Sequence, residues 1–153
     1  MKIFKIIAHH YSLIICFLAI LISGQHLGGF YIFYLLLALP YGGIHSILAI
    51  LGIIVLLTSY RLFGCNEKNL GQVLNFVGVS LLFGSLYYFF WNDKQHYNWG
   101  TFEQVIPMLT IIITGFVALC FLLRNIFGIW MSKKIVSVWI LVGAKKEIKL
   151  LIQ

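Results

Sequence analysis

The residue with most chemistry to offer lies in the least polar surroundings. His45 sits in LALPYGGIHSILAILG, residues 37–52, just past a proline and two glycines. An ionisable side chain at mid-membrane depth is by default a candidate ligand or proton site, because leaving it unpaired in hydrocarbon is costly. On a helix, Ala38, Gly42, His45, Ser46, Ala49 and Gly52 recur at spacings of three and four and share one face. Most of them are small, which lets helix backbones approach closely in lipid. Ser80 and Thr114 fall near the middles of the next two apolar stretches, at the depth of His45. A neutral imidazole needs one acceptor and one donor, and two hydroxyls can supply both. The expected site is therefore His45 with Ser80 and Thr114, flanked by Gly42 and Ser46. Its structural reading is a register lock worth about 0.6–2 kcal/mol per interhelical hydrogen bond. Its functional reading is a pocket for a lipid or quinone, apolar except for one or two polar groups.

The other histidines offer less. A membrane b-type haem needs two axial histidines facing each other at one depth. His9 and His10 lie near the inner end of the first apolar stretch, His26 in the first connection and His96 in the third. Spread over these levels and away from His45, they give no axial pair, and no haem is expected. His26, Asp93, His96 and Glu103 belong to the outer connections and could meet on a metal with mixed nitrogen and oxygen ligands. Their spacing matches no ligand motif, so solvated loops are expected and no metal. Cys16, Cys65 and Cys120 form no CxxC pair. No GxSxG, HExxH, Walker loop or dinucleotide-binding glycine pattern occurs, so catalysis is not expected.

Composition says what must position these residues. The 153-residue chain is 61% hydrophobic and only 10% charged, with mean hydropathy +0.99. Soluble domains carry about 25% charged residues, so lipid must be the solvent for most of this surface. The formal charge of +7 lies in lysines and arginines that flank apolar runs, not on a soluble basic domain. That is how membrane proteins use positive charge, and nucleic acid is not an expected partner.

A crossing helix needs about 20 apolar residues. Four stretches qualify, at about 4–24, 29–59, 70–91 and 104–130. The first has a basic start like a signal peptide, but LISGQ fits small-x-small cleavage poorly, and it reads as a retained span. The second is long, and Pro40 with Gly42 and Gly43 offers either a kinked span or a re-entrant hairpin. Charge favours the span. Lys2, Lys5, Arg61, Lys68, Arg124, Lys133, Lys134, Lys145, Lys146 and Lys149 then face one side and only Lys94 the other. This is a strong positive-inside bias with both termini cytoplasmic. Tyr87, Tyr88, Trp91 and Trp99 would form the outer aromatic belt, with Tyr60 and Trp130 at the inner interface.

The expectation is an all-α integral membrane protein with a four-helix domain over 1–131, the second helix kinked near Pro40. Residues 132–153 form a basic tail. Lys145, Lys146 and Lys149 share one helical face opposite Ile148, Leu151 and Ile152. With Lys133 and Lys134 they suit an amphipathic segment lying on anionic headgroups. The alternation before Gly143 equally suits a strand against a partner. Membrane lipids and other membrane subunits are the expected partners, and a bacterial inner membrane the expected location. The leading functional expectation is a non-catalytic subunit or accessory factor of a larger membrane complex. A small transporter or channel is the alternative, as is a lipid- or quinone-binding protein using His45.

Overall fold

In a computed structural model the described residues are 6–24, 28–63, 69–92 and 98–127. The tail from 128 and its five site lysines, together with His26, Asp93 and His96, lie outside them. Among the described residues, five longer helices and one small sheet carry the fold, with a single helical turn at Gly100–Glu103 between the last two. They are α1 (His10–Leu18), β1 (Leu21–Ser23), β2 (Gly28–Phe30), α2 (Tyr31–Ala38), α3 (Ile44–Phe63), α4 (Asn69–Trp91) and α5 (Val105–Phe127).

Three of these, α3, α4 and α5, are long and apolar enough to cross a membrane. With 20, 23 and 23 residues, they are about 30–35 Å long, which matches the hydrocarbon thickness. Helices α3 and α4 pack closely, and small residues explain why. The buried face of α3 is Ser46, Ala49, Gly52, Leu56 and Ser59, at helical spacing. A Cβ on Gly52 would lie 3.0 Å from the Gly78 carbonyl oxygen, and one on Gly78 would lie 2.6 Å from Leu56 Cγ. The Ser59 hydroxyl donates to the Gly71 carbonyl at 3.0 Å and fixes the other end of the same contact.

The first apolar stretch departs from expectation. It is not a helix over 4–24 but a nine-residue helix, α1, followed by a strand. Strand β1 pairs antiparallel with β2, Leu21 opposite Phe30 and Ser23 opposite Gly28. The Tyr31 N–H closes this hairpin on the Ile20 carbonyl at 2.7 Å. Irregular backbone at membrane depth must be satisfied by protein, since lipid offers no hydrogen bonds. Threonines near and along α5 do this. Thr110 Oγ1 accepts from the Leu21 N–H at 3.0 Å, and Thr101 Oγ1 from the Ser23 N–H at 2.9 Å. Further along, Thr114 donates to the Cys16 carbonyl at 3.1 Å and Arg124 to the Ala8 carbonyl at 2.8 Å. The chain from Ala8 to Ser23 therefore runs beside α5 for most of its length. Thr110→Val removes the hydroxyl that accepts from Leu21 N–H and is expected to lower stability by about 1–3 kcal/mol. Thermal unfolding in detergent reads this, and an unchanged midpoint contradicts it.

The second expected span, 29–59, is not one kinked helix either. It is divided into α2 and α3 by a 3₁₀ turn, Leu39–Tyr41, and a left-handed Gly42 with φ +67°. The Gly43 N–H returns to the Ala38 carbonyl at 3.0 Å, and Gly43 O then receives the first N–H groups of α3. A Cβ on Gly43 would lie 2.8 Å from Ala38 Cβ, so the two segments touch at the bend. In one continuous helix Tyr31 and His45 would stand about 21 Å apart. Here both reach Ser85, so α2 folds back towards the start of α3.

Candidate functional site

The fold-back gathers aromatic and hydroxyl side chains around His45. Phe89 of α4 is the hub, with ring centroids 5.3 Å from Tyr31, 5.4 Å from Tyr34 and 5.2 Å from His45. Phe17 of α1 stands edge-on to Tyr31 at 5.4 Å, which ties the first helix into the cluster. Ser85 has one proton, and the His45 carbonyl at 2.6 Å can only accept it. The fully buried Tyr31 therefore donates its hydroxyl to Ser85 Oγ at 2.8 Å.

The imidazole of His45 is held from one side. Its ring hydrogen-bonds the Tyr34 backbone. The nitrogen concerned is Nδ1, because Nε2 is buried with no partner among the described residues. An Nδ1–H donated to a carbonyl fixes the tautomer and leaves the Nε2 lone pair directed away from that bond. The neighbouring Ser46 is fully buried and its hydroxyl is likewise unpartnered. Each unsatisfied buried polar atom costs about 1–3 kcal/mol, so two in consecutive residues are unusual in a core.

The expected trio does not meet. His45 bonds α2, Ser80 is exposed on the outside of α4, and Thr114 is committed to the Cys16 and Thr110 carbonyls. Gly42 belongs to the turn before α3, and Ser46 faces α4. Of the expected helix–helix face, Ser46, Ala49 and Gly52 are buried, and Gly52 packs against Gly78 and Leu82 of α4. Glu103, the one metal candidate described, is exposed, and no group of three His, Cys, Asp or Glu gathers among the described residues.

Sequence reasoning missed a second polar cluster. His10 Nε2 lies 2.9 Å from Asn75 Oδ1, Asn75 Nδ2 donates to Asn125 Oδ1 at 3.2 Å, and Asn125 Nδ2 to the Gln72 carbonyl at 3.0 Å. Since the Asn75 amide nitrogen serves Asn125, its oxygen faces His10, and Nε2 carries the proton. His10, Gln72, Asn75 and Asn125 are all buried, and the His10 ring packs on Tyr60 at 5.2 Å and Phe121 at 4.8 Å. The available signal was the amides themselves. An Asn inside an apolar span must find a partner, and Asn75 and Asn125 are two of them.

The two clusters differ in kind. The His10 cluster pairs the His10 nitrogen facing Asn75 and both asparagine amides, and it clamps α1, α4 and α5. The His45 cluster leaves two buried polar atoms, His45 Nε2 and Ser46 Oγ, without a partner among the described residues. Separate from both, an apolar groove of about 530 Å³ lies between α4 and residues 99–111, with Trp91 and Trp99 among its walls. Compared with family models, curated proteins and solved structures, the chain matches none.

Proposed function

We propose that this chain is a non-catalytic membrane protein that holds a hydroxyl-bearing lipophilic molecule, a lipid or the reduced form of a quinone, on Nε2 of His45. One observation carries this reading: a buried imidazole nitrogen whose ring is fixed by its other nitrogen and which has no partner among the described residues. Nδ1 already holds its proton on Tyr34, so Nε2 accepts and the ligand must donate. Phe89 offers an aromatic ring beside the site, suited to a ring or chain that lies against it.

The reading includes a topology. Helices α3, α4 and α5 cross, and the broken segment from Ala8 to Ser23 makes a fourth crossing beside α5, with α2 folded into the outer half. Both termini then face the basic, cytoplasmic side of a bacterial inner membrane, as the distribution of lysine and arginine favours. Transport is the second reading, favoured by the interruption at Leu39–Gly43, since broken helices line substrate sites in transporters.

The test is a titration with a prenylated hydroquinone and, in parallel, its dimethyl ether, followed by imidazole ¹⁵N resonances. The hydroquinone is expected to move the His45 Nε2 signal and the ether to leave it in place. Equal responses to both, or none to either, overturn the proposal.

A further inference from the structure

A different groove, at the opposite end of α3 from His45, has the shape and polarity of a lipid headgroup site. It encloses about 600 Å³ between α1 and α3 and is lined by Tyr11, Ile54, Leu57, Thr58, Arg61 and Leu62. Its polar and apolar groups are segregated along the helix axis. Ile54 and Leu57 lie deeper in the span, while Thr58 and Arg61 approach its end at Phe63. Tyr11 forms the opposite wall and is fixed there by stacking on His9 at 5.4 Å and by edge contact with Tyr60 at 5.4 Å. The guanidinium is exposed, and the one carboxylate among the described residues, Glu103, lies at the other end of the bundle. Arg61 therefore presents a planar fork of donors above an apolar trough. A phosphodiester with an acyl chain matches both halves, the phosphate on Arg61 with the two hydroxyls and the chain along Ile54, Leu57 and Leu62.

We infer that the α1–α3 groove binds one anionic phospholipid of the leaflet at the Arg61 end, its phosphate held by Arg61, Thr58 and Tyr11. This site is independent of the ligand proposed at His45. Basic pockets between membrane helices bind acidic headgroups in this way, and one basic side chain near the surface is worth about fivefold in affinity.

Native mass spectrometry of the full chain, supplied with equal phosphatidylglycerol and phosphatidylcholine of matched chains, tests it. Wild type is expected to retain phosphatidylglycerol about fivefold over phosphatidylcholine. Arg61→Gln should abolish that preference, and Thr58→Val should reduce it with the charge intact. Because Arg61 is exposed, both variants are expected to melt with wild type, and Arg61→Lys provides a charge-retaining variant with partial preference. Equal retention of the two lipids by wild type overturns the site. So does undiminished preference in Arg61→Gln, where the basic tail alone would be the binder. Displacement of phosphatidylglycerol by millimolar inorganic phosphate overturns the lipid assignment in favour of a soluble anion.

Discussion

Asn75→Ala is expected to destabilise this protein by about 2–4 kcal/mol, because one side chain closes two hydrogen bonds in a buried network. Its removal leaves the His10 Nε2–H without an acceptor and Asn125 Oδ1 without its donor. Both groups are buried, and neither faces water that could replace the amide. Membrane hydrogen bonds taken singly are modest, about 0.6 kcal/mol on average, because unfolded chains in lipid also find partners. Two simultaneous orphans in a packed site are what raise the expected cost. Loss should appear as a lower thermal midpoint and as loosening of α1, read by hydrogen exchange at residues 10–18. Ser80→Ala is the matched control, since Ser80 faces outward from α4 and should change stability by less than about 0.5 kcal/mol. Equal midpoints for Asn75→Ala and Ser80→Ala would contradict the network.

The second large effect concerns shape. Gly52→Ile should cost about 2–3 kcal/mol, since any Cβ there meets the Gly78 carbonyl oxygen and Leu82 at 3.0 Å. The backbone oxygen cannot move without separating α3 from α4, and that separation carries Ser85 away from the His45 carbonyl. Gly84→Ile, on α4 but with nothing within 4 Å of its Cβ, supplies the control. Gly52→Ile is therefore expected to lower the midpoint and to weaken ligand capture at His45, whereas Gly84→Ile does neither. Similar midpoints for the two isoleucine variants would show that the close approach at Gly52 is unimportant.

These two predictions also mark where the sequence was legible. Hydropathy length located α4 and α5 because each needs only an unbroken apolar helix of bilayer thickness, whereas α3 was merged with α2 in one stretch over 29–59. Helical spacing identified Ser46, Ala49 and Gly52 as a packing face, although it could not say that the face belongs to α4. The first stretch was misread because an apolar run has no periodicity to separate helix from strand. What decides it is tertiary: β2 pairs with β1, and Thr101 and Thr110 satisfy the freed N–H groups. The turn signals at Pro40, Gly42 and Gly43 were visible, but the net fold-back depends on Tyr31 meeting Ser85. For the site, depth along each span placed His45 with Ser80 and Thr114, yet depth ignores azimuth. Ser85, five positions beyond Ser80, is the hydroxyl that faces α3. The His10–Asn75–Asn125 chain joins residues 50 and 65 positions apart, which no local spacing rule reaches.

The central claim is that Nε2 of His45 receives a ligand. Native mass spectrometry on chain extracted from its membrane in mild detergent tests it most directly, with wild type and His45→Ala compared side by side. One hydroxyl-bearing lipophilic molecule is expected per wild-type chain and none on His45→Ala, while the Arg61 lipid stays in both. A bare wild-type chain, or the same adduct in His45→Ala, would contradict it.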